Sequence, residues 1–274
     1  MSTRALPIAV VGFSLIFFWA WVWFAFAGGG SLTDPADILT QGAQATADAD
    51  SFHVSLTVEG TVTDATTGGP LPLDGVSLDG DVDLAGSAGH LTFSLPMLFG
   101  MSGEVIAIGQ DVWVLTPMAG DQWIHVANTE EDGPEPSQEP SDEDIAARID
   151  ELLANEGVSL TKLADQPCGD DTCYHLQLSV SAEAMAAHGD GTPGAPDMEF
   201  LGGAMPNPEL SGPAVVDLLF QQDGLWLRAV TVASEGEDGE ASFVVELSDY
   251  NASFDISPPP ADQVIEGEDI PFFQ

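Results

Sequence analysis

Residues 51–62 read SFHVSLTVEGTV, and their alternation decides the fold. Phe52, Val54, Leu56, Val58 and Val62 share one parity, while His53, Ser55, Thr57, Glu59 and Thr61 share the other. Successive strand side chains point to opposite sides, so this stretch is a strand with one apolar and one wet face. The pattern repeats in VSLDGDVDLAG, with Val76, Leu78, Val82 and Leu84 set against Ser77, Asp79, Asp81 and Asp83. The regular Asp row reads as a solvated strand face. It lacks the loop glycine and terminal glutamate of a calcium-binding helix-loop-helix.

Downstream, HLTFSLPML, GEVIAIG, DVWVLT and QWIHVA follow at short spacing, separated by Gly-, Pro- and Asp-containing turns. Parallel strands would need crossovers of a dozen or more residues, so an antiparallel meander is expected. Residues 128–140 are an acidic, proline-rich linker. A second series, VSLTKLA, TCYHLQLSV, PAVVDLLFQ, GLWLRAVTVAS and GEASFVVELSDYNASFDI, completes the strands. In the last of these the apolar parity switches between Leu247 and Tyr250, which predicts a β-bulge near Ser248-Asp249.

Helices are predicted in three places. Asp34-Pro35 is a cap-and-first-turn signal for a helix running to about Asp48. A second begins at Ser141, with Ile145, Ile149, Leu152 and Leu153 as one apolar stripe, and a short third spans residues 181–188. Residues 189–212 form a Gly/Pro-rich loop that still carries Met198, Phe200, Leu201 and Met205. The fold class is therefore α+β and mainly β: a curved antiparallel sheet with two to three helices over its concave face.

At the other end, residues 5–27 form an uncharged apolar run after Arg4. At about 1.5 Å per residue it is long enough to cross a hydrocarbon core of about 30 Å. Its aromatic-rich end favours a retained membrane helix. The Ala25-Phe26-Ala27 pattern leaves a cleaved signal, and a secreted product, as the alternative. Either way the following domain is extracytoplasmic, because Arg4 stays inside. The expected division is residues 1–31 as anchor and joint, 32–265 as the β domain and 266–274 as a tail.

Composition narrows the function. The chain has 4 Lys+Arg against 45 Asp+Glu, a formal charge of −41. Nucleic acid, which is held by clustered Lys and Arg, is excluded as a partner. The same imbalance repels anionic lipid surfaces, so membrane attachment falls to the N-terminal helix. Cys168 and Cys173 flank a tight polar turn and, in an oxidising compartment, read as a local disulfide; a metal or redox role has only C-x4-C spacing behind it. The five histidines are scattered, so no metal site follows. No phosphate loop, dinucleotide fingerprint or nucleophile elbow is present in the sequence, so neither catalysis nor a cofactor is expected.

Taken in order, the helix before ADADSFHVSLTVEG, the strand VSLDGDVDLAG, the pair EVIAIGQDVWV and DQWIHVA, the helix IDELLA, the hairpin CYHLQLSVS and the closing ELSDYNASFDISPPPADQV resemble the LppX/LprA/LprF/LprG lipoproteins. The likeness covers residues 32–264. It implies a half-barrel of the LolA/LolB carrier type, with an apolar cavity that binds or transfers acylated lipids or glycolipids. An envelope sensor or protein-interaction module on the same fold, with an envelope protein as partner, is the alternative. One departure stands out: members carry a lipid-modified cysteine after the signal peptide, whereas no cysteine precedes Cys168 here. Parity and composition place the expected lipid pocket at Phe52, Val54, Leu56, Val58, Phe93, Leu95, Met97, Phe99, Val112, Val114, Ile145, Ile149, Leu152, Met198 and Phe200.

Overall fold

A computed structural model of the chain describes residues 32–63, 69–97, 100–117, 120–127, 142–187, 212–236 and 239–266. The chain divides after Thr33 into two units, and every element below belongs to the second. The expected membrane segment, the linker at 128–140, the loop at 189–211 and the tail at 267–274 lie outside the described residues. No helix among the described residues is long and apolar enough to cross a membrane.

The strand that opens the sequence argument is the seam of the sheet. β1 (Ser51–Thr63) is followed by the short β2 (Pro70–Pro72) and a meander of β3 (Val76–Asp83), β4 (Ala88–Leu95), β5 (Met101–Ile108), β6 (Asp111–Leu115) and β7 (Trp123–Ala127). A second run holds β8 (Val158–Lys162), β9 (Gln166–Cys168), β10 (Asp171–Val180), β11 (Ala214–Gln221), β12 (Leu227–Gly236) and β13 (Gly239–Ser248), and β14 (Val264–Glu266) ends the described chain. All belong to one open 14-stranded sheet ordered β14-β7-β6-β5-β4-β3-β1-β13-β12-β11-β10-β8, with β2 on β1 and β9 on β10. β1 pairs β3 on one side and β13 on the other, so both runs share it.

Period-two patterning keeps each strand's apolar set on one side only if the registers match. They do: Leu56 pairs Leu78 of β3 and Val245 of β13, and the same parity continues outward in both directions. Strands come closest where glycine allows it. A Cβ at Gly80 would lie 2.1 Å from the His90 carbonyl oxygen, so only glycine lets β3 and β4 approach this closely.

Among the described residues three α-helices accompany the sheet: α1 (Pro35–Ala47), α2 (Asp142–Ala154) and α3 (Ala182–Ala187). The first starts as expected, with the Asp34 carboxylate accepting from the Ala36 N–H at 2.9 Å and proline in the first turn. Helix α1 packs on β8, β10 and β12, and α2 packs on α1 and β8. The approach to β11 is close because residue 42 is glycine. A Cβ there would sit 2.3 Å from Phe220 Cδ1. Phe220 shares its face with Leu218, which connects through Val230 and Val245 to Leu56, so α1 lies on the apolar face.

Two expectations need correction. The bulge is not at Ser248-Asp249 but in β12, where the register skips from Leu219↔Ala229 to Phe220↔Leu227 and leaves Arg228 as the extra residue. After Ser248 the chain turns instead, with Asp249 and Asn251 at φ 50° and 58°, a conformation their short polar side chains tolerate. The Asn251 amide oxygen accepts from the Asp50 N–H at 2.8 Å and fixes that turn against the start of β1. The sheet is also not wholly antiparallel, since β14 lies parallel to β7. Residues 249–263 carry the chain from β13 to that far edge. At about 3.3 Å per residue they are long enough to cross strands about 4.8 Å apart.

The two cysteines are joined, with Cα atoms 5.8 Å apart, across the β9–β10 hairpin. Cys173 is fully buried, so the link also anchors the end of β10 to the core.

Candidate functional site

The register gathers a continuous apolar surface. One row across the first half of the sheet is Phe52, Val82, Gly89, Ala107, Val112 and Val126; the next is Val54, Gly80, Leu91, Val105, Val114 and Ile124. Every side chain that β1, β3, β4, β5, β6 and β7 place on this face is apolar or is glycine. Most of these residues are only half-buried, and Val126 is 43% exposed. The main helix contacts lie in the other half, on β8, β10 and β12.

One end of the surface is closed. Leu73, whose N–H donates to the Gly60 carbonyl, forms a buried cluster with Val58, Val76, Leu95 and Ala241. Leu56, Phe93, Met97, Met101 and Phe243 pack against it. Next to α1 stands an aromatic wall. Tyr250 stacks on Trp226 at 5.2 Å and faces Phe52 at 6.3 Å. Its hydroxyl donates to the Leu227 carbonyl, while the Leu227 N–H donates to Thr46 Oγ1 and Thr46 Oγ1 to the Gly42 carbonyl. Burial pushes the Tyr250 phenol up to about 12, so the wall stays neutral.

Phe52, Val54, Leu56, Val58, Phe93, Leu95, Val112 and Val114 thus share one face, as their parity predicts. Val58 and Leu95 belong to its buried end. Ile145, Ile149 and Leu152 are on α2, which packs at the opposite end of the strand order from β6. Phe99, Met198 and Phe200 lie outside the described residues. The sequence reading missed Val82, Leu91, Val105 and Val126 as well as the Trp226–Tyr250 wall. The first four carry the same alternation as β1. The wall depends on the turn at Asp249, which has no local apolar signal.

On the opposite face the register collects four histidines that look scattered in sequence, each beside carboxylates. His53 meets Asp81 at 2.8 Å and Asp79 at 3.4 Å, His90 meets Glu104 at 3.2 Å, and His175 meets Asp217 at 2.8 Å. His125 lies 3.0 Å from both Asp111 and Glu266. Each pairing sets an imidazole against a carboxylate-rich surface. The Asp81 hydrogen bond raises the His53 pKa above its ordinary 6.5, against the lowering effect of burial and with help from Asp79. The Asp111 hydrogen bond does the same for His125, again against burial and with help from Glu266. A raised folded-state pKa gives stability that is full below the unfolded value of 6.5 and is lost as pH climbs through the folded value. The melting temperature is therefore expected to fall between about pH 6 and about pH 8.5. A His53→Gln variant should fall less steeply, and a wild-type melting temperature that rises over this window would contradict the assignment.

No protein-family model matches the chain, and no curated protein matches it. Among solved structures the chain is similar to lipoprotein LppX of Mycobacterium tuberculosis, at 16% identity over 82% of this chain and 100% of that one, with a TM-score of 0.47. It is similar to LprF from Mycobacterium bovis at 15% identity over 82% and 96%, TM-score 0.49. It is also similar to the Pseudomonas aeruginosa MucA/MucB complex at 13% identity over 84% and 60%, TM-score 0.33. LppX and LprF are among the proteins the sequence resembles, so that likeness is met in solved structures. With TM-scores at these values the architecture rests on its own strand pairing and helix packing.

Proposed function

We propose that the chain is a membrane-tethered, extracytoplasmic lipid-binding protein whose apolar sheet face takes up acyl chains or comparable apolar lipid. The observation that carries this reading is the unbroken apolar and glycine lining of β1 and β3 to β7 in a chain of charge −41. Half-exposed apolar surface of this extent is costly in water. Each ligand methylene that it desolvates contributes about 0.8 kcal/mol. The three Lys and Arg residues after Arg4 are Arg148, Lys162 and Arg228, on α2, β8 and β12, so the apolar face of β1 and β3 to β7 offers no basic side chain to a headgroup. Binding then comes from water exclusion along the lipid tail, with residues 5–27 as the membrane tether and 128–140 as an acidic linker.

Gly89 gives the cleanest test. A Cβ there would meet only the Asp81 carbonyl oxygen, at 3.7 Å, an ordinary contact, so a side chain can start from this position onto the apolar face without a backbone clash at Cβ. Gly89→Leu is expected to keep the melting temperature and to weaken uptake of a pyrene-labelled fatty acid by about tenfold or more. Unchanged uptake by this variant would place the ligand elsewhere. No uptake by the parent protein, together with capture of an envelope protein, would replace the proposal by an interaction module.

A further inference from the structure

His125 is held between carboxylates from two different strands. Asp111 Oδ1 on β6 is 3.0 Å from its Nε2, and Glu266 Oε2 on β14 is 3.0 Å from its Nδ1. Trp113 stacks on the ring with centroids 5.2 Å apart and planes at 19°. A carboxylate oxygen only accepts, so both contacts are hydrogen bonds only when both ring nitrogens carry protons. The neutral ring satisfies one carboxylate and turns a lone pair toward the other. The indole face adds a preference for the cation. Among the described residues, Asp111 and Glu266 are the charged groups facing this ring, since the rest of β7 (Trp123, Ile124, Val126 and Ala127) is uncharged.

What the proton holds differs between His125 and His53. The His53 ring also lies between two carboxylates, but β1 and β3 share eight registered pairs and both have further neighbours. Loss of that proton leaves the strands paired. Among the described residues β14 sits at the edge of the sheet with three pairs, Val264↔Trp123, Ile265↔Ile124 and Glu266↔His125. There the His125 to Glu266 bond is a large share of what fixes the strand.

We propose that doubly protonated His125 is a latch that holds β14 on β7, and that loss of its proton releases β14 and the far end of segment 249–263. The latch closes on the acid side and opens on the alkaline side. Opening exposes the edge of β7 and frees the segment that spans the sheet, whatever the apolar face binds.

Hydrogen exchange of the full chain, read by mass spectrometry and corrected for the intrinsic pH dependence of exchange, tests it. Protection of residues 260–266 is expected to fall about tenfold or more between about pH 6 and about pH 8.5, while β1 and β3 stay protected. His125→Gln should leave residues 260–266 poorly protected at both values. Asp111→Asn keeps the Glu266 bond and removes one raising influence, so it should move the fall to lower pH. Equal protection of wild-type β14 at both values, or a fall that persists in His125→Gln, would overturn the latch, as would an Asp111→Asn profile that does not move.

Discussion

Replacing Phe220 by alanine is expected to destabilise the domain by about 3–5 kcal/mol. The ring is 2% exposed and fills the space left by the missing Cβ of Gly42, so it is the joint between α1 and the sheet. It lies opposite Tyr174 of β10 and Leu227 of β12, beside the bulge at Arg228. The surrounding strands cannot close over a vacancy bounded by helix and bulge, so little of the cavity term is recovered. Gly42→Ala approaches the same joint from the other side. Alanine is the better helix former by about 1 kcal/mol, but its Cβ would lie 2.3 Å from the Phe220 ring. Overpacking of this kind costs about 1–3 kcal/mol, so the net change should be destabilising. Urea unfolding midpoints at constant slope measure both. A Phe220→Ala change below about 1 kcal/mol would mean that α1 is not seated on β11 as described.

Leu91→Glu should abolish lipid binding while leaving the protein folded. Leu91 is half-buried in the centre of the apolar face, between Gly80 and Val105, so a carboxylate there stays hydrated in the free protein. An acyl chain laid across it would strip that water from a charge with no basic side chain beside it on the apolar face of β1 and β3 to β7. The penalty of several kcal/mol lowers affinity by about a hundredfold or more. Thr57→Glu adds the same charge to the exposed opposite face and is the matched control. Fatty-acid titration of the two variants should separate them by that factor, and equal affinities would remove the apolar face from the binding account.

The central strand was legible because its signal is local. Phe52, Val54, Leu56 and Val58 sit on one face through backbone geometry alone, whatever they pair with, and the Asp34 cap and the Cys168–Cys173 link depend on near neighbours in the chain. Interactions that need a register were not legible. His53, Asp81 and His90 fall in one cross-strand line only after β1, β3 and β4 are paired, and the sequence separation gives no hint of it. The same holds for His125 and Glu266, joined by a parallel strand that no hairpin turn announces. The parity switch after Leu247 is a real feature of the sequence, but a turn at left-handed Asp249 and Asn251 produces it as readily as a bulge. The actual bulge at Arg228 has its own parity switch, from Leu225 and Leu227 to Val230 and Val232, which the adjoining apolar Trp226 and Ala229 mask.

The half-barrel expectation fares differently for its two parts. The open sheet with helices on its apolar face is present, but α1 and α2 gather over β8, β10 and β12 and do not spread across the whole face. That distribution leaves the lining of β3 to β7 half-exposed and makes it the candidate site.

Native mass spectrometry of the full-length protein, purified from membranes and released gently from detergent, tests the lipid-binding claim most directly. The apolar face predicts a population carrying a bound lipid mass that extraction into organic solvent recovers and that Leu91→Glu lacks. Protein found only at its polypeptide mass, which also takes up no lipid from vesicles, would contradict it.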